Sequence, residues 1–174
     1  MIGMLSTALR KPEQVIFLFL LVCAGVLLTA LGLEYLAGYA PCELCLKERW
    51  AYYAGIPLAI GAIGLIGAGR APWAAGLIGL AGLGLLANAG LGLYHAGVEW
   101  HWWAGPSTCT GGSALAQTPE EMLKQLQNQK IVRCDQPALY VLGLSLAAWN
   151  VPIGLGLAGL GGWAANVLLR RENS

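Results

Sequence analysis

The chain has 174 residues, of which 57% are hydrophobic and only 11% charged, with a formal net charge of +1. A soluble domain carries about 25% charged residues, so an ordinary soluble fold is excluded, and the near-zero charge gives no footing for nucleic acid. The 25 glycines lie mostly inside long apolar runs, which speaks against disorder.

Four such runs follow one another, at about 15–36, 50–68, 73–94 and 138–169. Each is at or near the roughly 20 residues that a helix needs to cross a bilayer. The expectation is an all-α integral membrane protein, a four-transmembrane-helix bundle forming a single membrane domain over 1–174. The first run exceeds the hydrophobic stretch of a secretory signal, and Gly38-Tyr39-Ala40 only loosely matches a cleavage site. Four spans put both termini on one side. Arg10, Lys11, Arg70, Arg170 and Arg171 lie in very short segments on the terminal side, and the opposite cations are mostly spread through a long loop. That asymmetry predicts termini inside and the two loops, about 37–49 and 96–137, outside.

Within the long loop, Thr118-Pro119-Glu120-Glu121 reads as a helix start with a capping box. Met122, Leu123 and Leu126 then share a face, giving a short amphipathic helix suited to the membrane surface. Trp100, Trp102 and Trp103 fit the headgroup zone. Gly154-x-Gly156-x-x-Gly159 and Gly82-x-Gly84-x-x-Ala87 imitate a dinucleotide-binding fingerprint but lie in apolar spans, where small residues let helices approach closely.

The chemistry sits in the cysteines. Cys42 and Cys45 form a CxxC pair between the first two runs, Cys109 and Cys134 lie in the long loop, and Cys23 is an inert thiol within a span. Haem attachment needs a His after the second cysteine, where Leu46 stands. A four-thiolate zinc site usually pairs two tight clusters, whereas Cys109 and Cys134 are 25 positions apart, so a redox pair fits better. A helix beginning here directs positive partial charge at the thiols and favours the thiolate, and Lys47 and Arg49 add to it. Glu43, between the two cysteines, works against it. Arg49 is either a snorkelling cation or a functional one one turn from Cys45. Cys109 and Cys134 are a second redox pair or a disulfide bracing the loop, the latter worth roughly 3 kcal/mol. The Pro-, Thr- and Gly-containing segment around Cys109 predicts an exposed thiol open to exchange. His95 suits proton transfer or an interfacial hydrogen bond, and Asn88 suits interhelical hydrogen bonding. Asn150 and Pro152 mark a kink, and Glu34 and Glu99 are expected to be interfacial or solvated.

Pro41-Cys42-x-x-Cys45-Leu46-x-Glu48-Arg49, with two cysteines between the third and fourth spans and His95 closing the third, resembles the disulfide bond formation protein B (DsbB) family. The resemblance implies a quinone-dependent thiol oxidase in the bacterial inner membrane, its cysteine loops periplasmic. It implies catalytic Cys42, Cys45, Cys109 and Cys134, and a cofactor, ubiquinone or menaquinone, held by Arg49, Cys45 and His95, with no metal. The implied partners are membrane lipid and a periplasmic DsbA-type dithiol protein that attacks a Cys109–Cys134 disulfide, electrons passing on through a Cys42–Cys134 intermediate. A relative of vitamin K epoxide reductase carries its cysteine groups in the opposite order along the chain, and a zinc-clipped structural membrane protein is the non-enzymatic alternative.

Overall fold

The structure is a computed structural model and describes residues 11–106, 109 and 133–172. Four helices are long and apolar enough to cross a membrane: α1 (Pro12–Tyr35), α2 (Glu43–Gly67), α3 (Ala71–Glu99) and α4 (Leu146–Glu172). Between α3 and α4 lies a two-stranded antiparallel hairpin, β1 (Tyr140–Val141) and β2 (Leu144–Ser145). The protein is an all-α four-helix membrane protein. The amphipathic helix expected after Thr118 lies outside the described residues.

Local chemistry sets the boundaries. Pro12 and Pro72 stand in the first turns of α1 and α3, where the missing N–H is not needed. Gly69, with φ +70°, closes the tight connection between α2 and α3. Three boundaries differ from the hydropathy runs by about five residues or more, because helix propensity and capping extend beyond, or stop short of, the apolar stretch. Helix α2 starts at Glu43 instead of Trp50, since Cys42 caps it by accepting the Cys45 N–H at 3.2 Å. Helix α3 continues past Tyr94 to Glu99, drawing His95 and Glu99 into the bundle. Helix α4 starts at Leu146, eight residues later than expected, because the hairpin occupies the stretch before it.

Helices α3 and α4 form the most extensive interface. Gly82 and Gly161 meet there: a Cβ on Gly161 would stand 3.0 Å from the Ile78 carbonyl oxygen and 3.1 Å from the Gly82 Cα. Gly154 lies equally close to α3, at Leu85 and Ala89. The expectation of close helix approach therefore holds for Gly82 and Gly154. Gly84, Gly156 and Gly159 face open space instead. Ile16, Phe19, Cys23, Ile78, Leu85 and Leu157 fill the core. Phe17, Leu21, Leu28, Ile60, Leu83 and Leu93 point outward, as lipid-facing side chains do.

At one end Arg171 approaches Glu13 at 3.7 Å, so the start of α1 meets the close of α4. The other end gathers the α1–α2 connection, the close of α3, the hairpin and the start of α4. Among the described residues, Cys42, Cys45, Cys109, Cys134, Arg49 and His95 all gather there.

Candidate functional site

Cys42 and Cys45 occupy the N-cap and the first turn of α2. Their Sγ atoms are 2.7 Å apart, and both are free thiols. Cys42 lies ahead of the membrane-spanning segment. The hydrogen bond to Cys45 Sγ holds its thiol below the ordinary range, against the opposing effect of burial. Glu43 does not act on the pair as an isolated charge, because Lys47 sits 2.7 Å from it one turn along.

Cys109 and Cys134 form a disulfide, with Cα atoms 5.2 Å apart. Both are buried, which corrects the expectation of an exposed Cys109: each is 1% accessible. The cause is packing. Cys42, Leu44, Cys109 and Cys134 make one hydrophobic cluster, with Cys45, Leu91 and Tyr94 against it. The two cysteine pairs, far apart in sequence, thus share one buried patch. Arg133 binds Asp135 through both Nε and Nη2, at 2.9 and 2.5 Å. The Arg133 hydrogen bonds keep the Asp135 carboxyl below its usual range, and the two charges offset each other beside Cys134.

Behind Cys42 lies a buried polar chain. His95 Nε2 is 3.6 Å from Cys42 Sγ, and its Nδ1 is 2.8 Å from Glu48 Oε1. Asn150 Nδ2 donates to Glu48 Oε2 at 2.9 Å, while Asn150 Oδ1 accepts from the Tyr52 hydroxyl and, at 3.4 Å, from Asn88 Nδ2. Asn88 and Asn150 are therefore interhelical hydrogen-bonding residues. Glu99 Oε1 is 3.9 Å from the same Nε2, and Ser145 donates its hydroxyl hydrogen to Glu99 Oε2. Ser145 also caps α4 by accepting the Ala148 N–H at 3.1 Å. Glu99 is thus buried, not solvated, because Ser145 satisfies it.

Arg49 is anchored. It pairs with Glu34 of α1, and a further nitrogen is 3.5 Å from the Ala30 carbonyl oxygen. Snorkelling toward water does not describe it, and Glu34 is a structural partner instead of a free interfacial charge. Arg49, Cys45, Glu48, Tyr52 and His95 all line one cavity of about 490 Å³. Its remaining wall is largely apolar, from Val22, Val26 and Leu33 of α1 and Ile153 of α4.

Sequence reading found Cys42, Cys45, Arg49 and His95 but assigned no role to Glu48, Tyr52 or Ser145. A signal for Glu48 did exist: a carboxylate beside Arg49, at the edge of an apolar run, is costly unless partnered. His101, just past the close of α3, is exposed with φ 59°.

Comparison with known proteins shows the family. The family described as "Disulfide bond formation protein DsbB" matches residues 12–164. The "Uncharacterized protein RP370" of Rickettsia prowazekii is 25% identical over 161 residues, covering 88% of this chain and 89% of that protein. "Disulfide bond formation protein B" of Burkholderia pseudomallei, and the protein of the same name from Burkholderia mallei, are each 34% identical over 88 residues. Those matches cover 51% of this chain and 49% of the relative, so the chain spans about half the length of these curated relatives. No solved structure matches. With the family matched from the first helix into the last, and both cysteine pairs gathered at one end of the bundle, the chain belongs to the DsbB family of disulfide bond formation proteins.

Proposed function

We propose that the protein is a quinone-dependent thiol oxidase of the bacterial inner membrane. Its termini are cytoplasmic and its cysteine end periplasmic, and it reoxidises a DsbA-type dithiol protein. The observation that carries this reading is the common buried cluster of Cys42, Cys109 and Cys134: thiol–disulfide exchange needs sulfur atoms within reach of one another. Orientation rests on the short, cation-bearing segments at the opposite end.

The electron path runs from loop to helix. A partner thiolate attacks Cys109 Sγ, the Cys109–Cys134 bond breaks, and Cys134 leaves as a thiolate. Cys134 then attacks Cys42 of an oxidised Cys42–Cys45 pair and releases the Cys45 thiolate. The partner's second thiolate resolves its mixed disulfide and frees Cys109. Cys109 then attacks Cys134 and restores the loop disulfide, leaving Cys42 and Cys45 reduced. The net change at this stage is one partner disulfide formed and one CxxC disulfide reduced.

The cavity beside Cys45 fits a quinone: an apolar wall for a ring and an isoprenoid chain, with Arg49 and His95 as donors at one side. A quinone supplies a two-electron, two-proton acceptor, so the CxxC returns to a disulfide. The protein holds the other parts. Cys45 faces the cavity as the sulfur that delivers electrons. Arg49, fixed by Glu34, presents a guanidinium one turn deeper, where developing negative charge gains from a pre-oriented cation. His95 accepts the Cys42 proton through Nε2, and Glu48 stabilises the imidazolium through Nδ1. Whether the quinone is ubiquinone or menaquinone is decided by extracting the molecule that accompanies the purified protein.

The four-thiolate zinc clip is not favoured, since two of its thiols are joined in the Cys109–Cys134 disulfide. The oxidase reading is tested by mixing purified protein with quinone and a reduced DsbA-type protein, following loss of quinone absorbance. Turnover is expected, with none in Cys45→Ser and with a Cys109-linked adduct trapped in Cys134→Ser. Absence of quinone reduction by the unmodified protein overturns it.

A further inference from the structure

The reduced CxxC and His95 are arranged as a metal-binding set. Cys42 Sγ, Cys45 Sγ and an imidazole nitrogen of His95 lie within 4.8 Å of one another. Zinc bonds of about 2.3 Å to sulfur and 2.0–2.1 Å to nitrogen make the N···S edge of a tetrahedron about 3.5 Å. The observed distance from His95 Nε2 to Cys42 Sγ is 3.6 Å. The geometry points to a Zn²⁺ site formed by Cys42, Cys45 and His95 in the dithiol state, and we propose that metal capture there inhibits the oxidase.

Three further features support it. Metal-binding histidines commonly give their other ring N–H to a carboxylate, which fixes the tautomer and aims the lone pair at the metal. Glu48 does this here at 2.8 Å, and Asn150 holds Glu48 in turn at 2.9 Å. Charge is the second feature. Two thiolates cancel the charge of Zn²⁺, so the complex avoids leaving a net ion in an apolar cavity. The third is room to adjust. The sulfur atoms must spread from 2.7 Å to about 3.8 Å for tetrahedral coordination, and Cys45 borders the cavity into which it can turn. The fourth position is left for water or for Glu99, whose Oε1 is 3.9 Å from Nε2.

Binding moves no electrons. Two S–H bonds become two S–Zn bonds, and two protons leave to solvent. The bound thiolates no longer exchange with Cys134 or deliver electrons, and oxidation of the pair to a disulfide removes the ligands. This inhibition rests on the reading of Cys42 and Cys45 as a cycling redox pair, whereas the metal site needs only that both are thiols.

The test uses full-length protein in detergent carrying Cys23→Ser, Cys109→Ser and Cys134→Ser, so that only the CxxC thiols remain. Zn²⁺ is titrated against a chromophoric chelator, and Cd²⁺ is added separately to read thiolate-to-metal absorbance. One metal per reduced chain is expected, none after oxidation, and none in Cys45→Ser. Glu48→Gln is expected to weaken binding by about 10-fold or more, in the range found for residues that orient a metal's histidine. His95→Gln is expected to weaken it further. Equal affinity in His95→Gln and the parent, or no metal bound by the reduced parent, overturns the site. Quinone reduction by the unmodified protein is measured in parallel, with and without Zn²⁺. Full turnover in saturating Zn²⁺ overturns the inhibition. Metal binding without turnover in metal-free buffer removes the oxidase reading and leaves the site standing.

Discussion

At the residue scale, His95 and Glu48 show how a short motif becomes a positioned group. An unpartnered imidazole beside Cys42 would exchange its proton between the two ring nitrogens, and Glu48 favours the tautomer with hydrogen on Nδ1. Glu48 is then a positioning residue, since it reaches the sulfur only through His95. Glu48→Gln retains the size and loses the charge. It is expected to lower quinone turnover about 10-fold or more while leaving the KM for quinone little changed, a loss below the 10²–10⁴ of a full acid–base group. Its pH–rate profile is expected to lose the limb due to His95, and an unchanged profile would limit Glu48 to a packing role. Ser145 has two jobs, capping α4 and satisfying buried Glu99. Ser145→Ala is expected to destabilise the protein by about 1 kcal/mol through the cap alone, with up to roughly 3 kcal/mol more for an unsatisfied buried carboxyl. Thermal unfolding in detergent measures the sum. The cysteines were legible in sequence because their spacing has chemical meaning, and Arg49 was singled out more by the family resemblance than by its spacing. Ser145 was not: its partner is 46 residues away, and only the path of the chain between α3 and α4 brings them together.

The helices were legible as four apolar runs, while their ends were not. Hydropathy marks where lipid begins, and a helix continues past that point wherever its first or last turn is capped or packed. The displaced start of α2 matters most, because it changes Cys45 from a loop residue into a helical one and sets Cys45, Glu48, Arg49 and Tyr52 along one cavity wall. Small residues showed a similar limit. Glycine spacing indicated close helix approach in general, but the face that packs depends on register, and Gly161 emerged only from the structure. There a side chain would meet backbone of α3, at the Ile78 carbonyl and Gly82, and backbone cannot turn aside. Gly161→Val is expected to cost about 1–3 kcal/mol by overpacking. Gly159→Val, facing open space, is the control expected to leave the melting temperature nearly unchanged.

Across the whole molecule, the two cysteine pairs must meet two opposing demands. On the proposed oxidase reading the loop disulfide has to be reached by a partner protein, yet it lies buried against the CxxC, in the cluster that holds Cys42. Sequence suggested only the first demand, because a Gly- and Thr-containing segment reads as open chain; burial of Cys109 depends on the facing surface of α2 and α3. Leu44 is the residue that joins the demands, being 2% exposed and packed in the same cluster as both loop cysteines. Leu44→Ala removes side-chain volume without touching any sulfur or titratable group. It is expected to loosen the seat of the disulfide, at a stability cost of about 2–5 kcal/mol if the site does not collapse. The two half-reactions should then move in opposite directions. Reduction of Cys109–Cys134 by a DsbA-type dithiol should become faster as the sulfur is uncovered, and transfer to Cys42 should slow as the two pairs separate. Rapid-mixing experiments read both at once, through disulfide loss in a Cys42→Ser background and through quinone absorbance with the CxxC intact. Slowing of both steps together would mean that the buried seat is itself where the partner engages, and parallel acceleration would mean that release of the loop limits the whole cycle.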